Sequence, residues 1–134
     1  MSLVVGIQSK WIPWPEVGAE ILIAPLSPAK KYQFESECRV LERDAQGNVV
    51  SARRDVPKYQ QLVGRECVKG WRGMERPDGA RGPGLVTAGG AALPYSPEAC
   101  DAVMTIEPAA DFVILHAQGL AIHLQEETAA AGKG

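Results

Sequence analysis

The sequence has little of what catalysis and metal binding require. It has two histidines, His116 and His123, and three cysteines, with no CxxC pair that would indicate a zinc or redox site. The histidines are seven positions apart, whereas paired metal ligands on one helix are typically four apart, as in HExxH. The phosphate-binding patterns GxxxxGK[ST] and GxGxxG are also missing. We therefore predict no catalytic residue, no metal site, no cofactor and no enzymatic activity.

The sequence also lacks an excess of one charge and a long apolar run. Fourteen basic residues face sixteen acidic ones, for a formal net charge of -2, which provides no field to attract nucleic acid or an anionic membrane. No apolar run approaches the roughly 18–20 residues of a membrane span, and the N-terminus shows no signal-peptide pattern. We expect neither nucleic-acid nor membrane partners, and three reduced, mostly buried thiols in a cytoplasmic protein.

The apolar pattern predicts an α+β fold in one domain, residues 1–128, followed by a disordered tail at 129–134. Ile12 and Trp14 alternate around Pro13 and precede a turn signal and a short apolar run, which predicts an N-terminal β-hairpin at about 9–25 with its first strand at an edge. This short hairpin is expected to pack on a mainly α-helical domain. About four helices are predicted, at about 28–43, 56–69, 97–107 and 108–127.

Three polar residues predict where helices begin. Ser27, Asp55 and Ser96 each stand at a helix start, and proline follows both serines, as is typical of an N-cap and first helical position. Residues 29–44 are ambiguous, because their apolar residues fit both a helical period and the alternation of a strand. The serine–proline start and the charged composition favour the helix.

The stretch "VKGWRGMERPDGARGPGLVTAGGAALPYSPEA" separates two helical blocks. From Gly70 to Gly90 it contains seven glycines, together with Pro77 and Pro83. Such a composition buries too little to offset its ordering entropy, so we predict a flexible loop at 72–94 that is either mobile or held only by a partner, with a tight turn at "PDG". Long loops in compact domains are usually functional or disordered.

The large apolar side chains are the candidate contacts with a protein partner. Tryptophan is common in cores but is also enriched in binding hot spots. Trp11 and Trp14 lie in a proline-rich edge segment and are the stronger interface candidates, whereas Trp71 is also expected to anchor the loop. The last helix has a broad apolar arc, which is either central in the core or shared with another chain, so a homo-oligomer is left open. The predicted partner-binding residues are Trp11, Trp14, Trp71, Phe112, Leu115 and Ile122.

The order of motifs resembles the small tail assembly chaperones of long-tailed phages and prophages. The likeness covers about Ile21 to Leu124 and rests on "ILIAPLSP", "LVGRECVKGWRGMERPDG" and "LPYSPEACDAVM". A tryptophan–x–glycine after a helix, a "DG" turn and an "LPxSPE"-like helix start are typical of that family. This sequence departs from the pattern between Gly79 and Leu93, where its loop is unusually long.

The resemblance implies a function without bond chemistry. Such chaperones coat the tape-measure protein in the host bacterial cytoplasm, keep its long hydrophobic helix soluble and recruit tail-tube subunits. Two other functions remain open as alternatives. One is a structural virion protein, such as a tail terminator or head-tail connector, and the other is a small bacterial adaptor that binds one protein.

Overall fold

The structure, a computed structural model, describes residues 9–132 of the chain and the side chains as far as residue 121. This part of the chain contains five strands and four helices, and a short 3-10 turn, Pro15–Val17, follows the first strand. The elements in chain order are β1 (Lys10–Trp14), β2 (Ala19–Ile23), α1 (Pro28–Glu37), β3 (Arg39–Arg43), β4 (Val49–Arg54), α2 (Val56–Cys67), β5 (Val68–Gly73), α3 (Pro97–Met104) and α4 (Glu107–Gly132). The last two residues of the predicted tail, 133–134, lie outside the described residues.

The larger sheet has three antiparallel strands in the order β1-β2-β5. Strand β1 lies at the edge, where Pro13 costs no ladder hydrogen bond. The register places Ile12, Ile21 and Trp71 side by side on the inner face. Alternate residues on the other face, including Trp11, point away from the core. The sheet is therefore apolar on the side that meets the helices.

The core lies between this inner face and helices α2, α3 and α4. Backbone hydrogen bonds fix the chain after β2 to two of the helices, from Ala24 N–H to the Cys67 carbonyl at 2.8 Å and from Leu26 N–H to the Ala117 carbonyl at 3.0 Å. These bonds join the sheet and the helices into one packed unit. The largest fully buried side chains are Ile23, Leu26, Met104, Val63, Cys38, Cys67 and Cys100.

The predicted helix starts are confirmed for α1, α2 and α3. The Ser27 and Ser96 hydroxyls and the Asp55 carboxylate each accept a hydrogen bond from the backbone N–H three residues later, at distances of 3.2, 3.0 and 3.2 Å. Each bond satisfies a donor that has no partner within the helix. These are local interactions, which explains why the sequence predicted them.

The predicted fold class is wrong, because the β structure is not limited to an N-terminal hairpin. That hairpin is present as β1 and β2, but the structure adds β5 to it and forms a second, two-stranded antiparallel sheet from β3 and β4. The fold is a mixed α+β arrangement of two antiparallel sheets and four helices. Both additions depend on pairing with a second segment, which sequence periodicity does not register.

The first misassigned segment is the second half of the helix predicted at 28–43. Helix α1 ends at Glu37, and β3 begins two residues later. A hairpin turn joins β3 to β4: the Asp44 carboxylate accepts hydrogen bonds from the N–H groups of Gln46 and Asn48, both at 2.9 Å, and Gly47 has φ +83°. The strand alternative for residues 39–43 is therefore the correct one.

The second misassigned segment follows α2. The helix predicted at 56–69 ends earlier, because α2 ends at Cys67 and Val68 already has an extended backbone (φ -84°, ψ 118°). Residues Val68–Gly73 pair with β2 instead. Without β5, the inner strand of the larger sheet would expose a row of unpaired backbone groups.

The loop predicted at 72–94 is not irregular, because most of it folds into two successive small hairpins. The first is closed by the bridge between Glu75 and Arg81, and the second by the bridge between Val86 and Ala92. The predicted "PDG" turn closes the first hairpin, with Gly79 at φ +84° and a hydrogen bond from its N–H to the Arg76 carbonyl at 2.9 Å.

Close backbone contacts explain part of the glycine content of this segment. Gly84 has φ +73°, and a Cβ atom there would lie 2.8 Å from the backbone nitrogen of Gly73. A Cβ atom on Gly73 would in turn overlap the Gly82 carbonyl oxygen. The segment thus packs backbone against backbone beside β5, which larger residues would prevent.

No helix, over the residues that the structure describes, combines the length and the hydropathy needed to cross a membrane.

Candidate functional site

An apolar groove opens where the 3-10 turn, the second small hairpin and helices α3 and α4 meet. Its volume is about 340 Å³. Its position depends on the hairpins, because the Trp71 indole N–H donates to the Leu93 carbonyl at 2.7 Å and holds the second hairpin against the sheet. We call this site the apolar groove; it is lined by Trp14, Val17, Gly84, Leu85, Val86, Leu93, Ala102, Val103, Ile106 and Ala109.

The groove exposes large aliphatic side chains to solvent. Val17 is 42% exposed, Val86 49% and Ile106 56%. Single exposed apolar residues are common on protein surfaces, but several of them lining one concave site indicate a contact surface. Covering such a surface is favourable by about 25 cal/mol per Å² of apolar area.

Aromatic stacking supports one wall of the groove. The Trp14 indole lies nearly parallel to the Phe112 ring, with centroids 4.5 Å apart and an angle of 9° between planes. Phe112 in turn contacts the His116 ring at 4.5 Å. Stacked rings of this kind add roughly 0.5–1.5 kcal/mol beyond their buried area. This wall is therefore held in place before any partner binds.

The helical wall of the groove follows from residue spacing. Ala102, Val103, Ile106 and Ala109 recur at helical intervals across the corner between α3 and α4. A hydrogen bond from the Ile106 N–H to the Val103 carbonyl at 3.0 Å continues the helical turn beyond the end of α3. These side chains consequently share one face, although Ile106 lies between the two helices that hold the others.

The structure brings together only two of the six predicted partner-binding residues. Trp14 lines the groove and Phe112 stacks behind it. Trp11 lies on the outer face of the sheet, where the Arg72 guanidinium is 3.9 Å from its ring centroid. Trp71 anchors the second hairpin, as described above.

The other two predicted residues lie on α4. Leu115 is 68% exposed and does not line the groove, and the side chain of Ile122 lies outside the described part of the chain. The sequence reasoning missed Val17, Val86 and Ile106, because each is a single aliphatic residue beside a turn or hairpin. The one sequence signal at these positions is an apolar residue close to a glycine or proline, and this signal is weak.

The thiols are free and buried, and their environment disfavours ionisation. Burial raises the pKa of Cys67 to about 12 and that of Cys100 to about 11, and it also raises the pKa of Cys38. A thiolate is the reactive form of cysteine, so these thiols are poorly suited to nucleophilic chemistry. Over the described residues, no three His, Cys, Asp or Glu side chains are grouped as metal ligands.

One charged cluster ties the first small hairpin to the sheet. The Glu20 carboxylate accepts hydrogen bonds from Arg81 at 2.7 Å and from Arg72 at 2.9 Å. The bond from Arg81, followed by that from Arg72, lowers the pKa of Glu20. Because Arg72 also covers Trp11, this cluster organises the outer face of the sheet rather than the groove.

No protein-family model, no curated protein and no solved structure matches this chain. The function is therefore proposed from the geometry of the groove and from the sequence motifs described above.

Proposed function

We propose that this chain is a tail assembly chaperone of a long-tailed phage or prophage, acting in the host bacterial cytoplasm. In this function it binds the tape-measure protein and tail-tube subunits during tail morphogenesis and transforms no small molecule. The apolar groove is the observation that carries the proposal, since it offers a preformed concave surface for an apolar segment of another protein. The resemblance of the sequence motifs supplies the choice of partner.

The groove suits one face of an amphipathic or apolar helix. Such helices insert side chains spaced three to four residues apart into an apolar groove. Trp14 forms a firm wall, and the exposed side chains of Val17, Val86 and Ile106 surround the opening. A long helix with repeated apolar faces, as expected for a tape-measure protein, can be covered by many copies that each bind weakly.

The proposal is tested by placing a charge in the groove. Val86→Glu introduces a carboxylate that partner binding would desolvate, so we expect it to weaken binding of a tape-measure segment by at least about tenfold. Co-expression with the segment measures its soluble fraction, and titration of the purified proteins measures the dissociation constant.

Val56→Glu is the matched control. Val56 is 50% exposed, almost the same as Val86 at 49%, but it lies at the start of α2 away from the groove. A glutamate is favourable in the first turn of a helix, so this variant should fold and bind as the wild type does. Equal binding by both variants, or no binding by the wild type, would rule out the groove as the site.

Mass spectrometry of finished phage particles separates the proposed function from its structural alternative. An assembly chaperone leaves the tail before completion, so we expect no peptides of this chain in purified virions. A tail terminator or head-tail connector would be present in a fixed number of copies.

A further inference from the structure

A second cavity lies between α1 and the β3–β4 hairpin, and its chemistry differs from that of the apolar groove. Its volume is about 410 Å³. We call it the arginine cleft; its polar lining consists of Tyr32, Glu35, Ser36, Arg39, Arg53 and Arg54. Arg39 and Arg54 lie on one face of the hairpin beside the single carboxylate of Glu35, so the cleft has a surplus of positive charge and favours an anion. Arg53 lies on the opposite face of β4, where it pairs with the Glu42 carboxylate at 3.4 Å.

Two of these arginines oppose each other across the hairpin. Arg39 pairs with Arg54 in the register of β3 and β4, and like charges directly opposite in a sheet are destabilising. Arg54 is partly compensated, with its guanidinium 3.6 Å from the Glu35 carboxylate and 4.7 Å from the centroid of the Tyr59 ring. Among the described residues, no carboxylate lies within salt-bridge distance of Arg39.

The hairpin contributes little to the hydrophobic core. Every residue of β4 is exposed, and so are all residues of β3 except Val40. Residues 39–54 carry four arginines and two acidic residues, a surplus of two positive charges, in a chain whose net charge is -2. Packing therefore does not account for the opposed arginines, whereas recognition of an acidic partner would.

The free edges of the hairpin indicate the form of the partner. Within the part of the chain that the structure describes, neither β3 nor β4 pairs with a third strand. An extended polypeptide can use such an edge for main-chain hydrogen bonds. Its carboxylates can at the same time form charge-assisted, bidentate hydrogen bonds with guanidinium groups.

We propose that the arginine cleft binds an extended, acidic polypeptide segment, with its carboxylates on Arg39 and Arg54. The site is separate from the apolar groove, and this inference does not depend on the proposed chaperone function. An incoming carboxylate pairs with Arg39 and competes with Glu35 for Arg54. Binding should weaken as the salt concentration rises, because the Arg39 and Arg54 side chains are exposed to solvent and their attraction to a carboxylate is screened by ions.

The test uses a fluorescent oligo-glutamate peptide, and an oligo-glutamine peptide of equal length, with binding followed by fluorescence anisotropy. Arg39→Gln should weaken binding of the oligo-glutamate peptide about tenfold, since it removes a charge-assisted hydrogen bond. Arg76→Gln, an exposed arginine in the first small hairpin, makes the same change in net charge and should bind as the wild type does. Thermal melting verifies that both variants are folded.

A second variant should act in the opposite direction. Glu35→Gln removes the internal competitor and should tighten binding of the peptide several-fold, by roughly the value of one partly exposed ion pair. Glu16→Gln, which changes the charge equally at an exposed position in the 3-10 turn, should leave binding unchanged. Opposite effects at Arg39 and Glu35, with both controls neutral, would support the cleft as the site.

Four results would overturn the inference. The first is equal affinity for the glutamate and glutamine peptides, and the second is equal behaviour of Arg39→Gln and Arg76→Gln. The third is displacement of the peptide by inorganic phosphate at comparable concentration, which would indicate a site for small anions. The fourth is tighter binding of a single-stranded oligonucleotide, which would indicate a nucleic-acid partner.

Discussion

The contribution of a single residue to stability depends on its contacts in the folded protein as well as on its residue type. Gly64 lies within α2, where a glycine normally weakens a helix. In the structure it is buried, and a Cβ atom placed on it would overlap the Cγ atom of Met104 in α3. The missing side chain is what allows α2 and α3 to approach each other.

Gly64→Ala should therefore destabilise the protein despite the better helix propensity of alanine. Overpacking a core costs about 1–3 kcal/mol, which exceeds the propensity gain of about 0.8–1 kcal/mol. We expect a net loss of about 1 kcal/mol in the free energy of unfolding, measured by urea denaturation. Unchanged or increased stability would show that Met104 can move aside without cost.

At the scale of elements, a helix start could be predicted more reliably than the end of the same element. Ser27 and Asp55 cap their helices through bonds that span three residues, whereas β3 and β5 exist because distant or neighbouring strands complete their hydrogen bonds. The apolar residues of 29–44 fitted both the alternation of a strand and a helical period. Strand pairing decided between the two.

Helix α4 contains a glycine that no described contact explains. A Cβ atom on Gly119 would have no heavy atom of the described residues within 4 Å, so no close contact among those residues offsets the cost of a glycine within the helix. Gly119→Ala should raise the free energy of unfolding by about 1 kcal/mol, in the same urea experiment. It is the matched control for Gly64→Ala. A loss of stability here would instead indicate that another molecule packs against α4.

For the whole molecule, burial of the thiols links stability to alkaline pH. The pKa of Cys67 is raised from 9.0 to about 12 and that of Cys100 from 9.0 to about 11, in both cases chiefly by burial. Below about pH 9, both thiols are neutral whether the chain is folded or unfolded, so the stabilisation is complete. As the pH rises through about 9 to 12, the unfolded chain releases these protons first, and stability falls.

The measurement is the urea midpoint at a series of pH values from 8 upwards. We expect the midpoint to decline above about pH 9, with a shallower decline in Cys67→Ala, which removes one of the titrating thiols. Burial also raises the pKa values of Tyr59 and Tyr95, so part of the decline should remain. Equal slopes for wild type and variant would show that Cys67 does not titrate differently on unfolding.

The sequence by itself determined the local features: the capped helix starts, the edge position of the strand containing Pro13, the "PDG" turn and the burial of the cysteines. Each depends on interactions within a few residues or on a strong preference of one residue type. Only the tertiary structure decided that β5 joins β2, that β3 and β4 form a second sheet, and that Val17, Val86 and Ile106 line one groove. These arrangements join separate segments of the chain, and their free energy comes from surfaces and strand edges that exist only once the chain has folded.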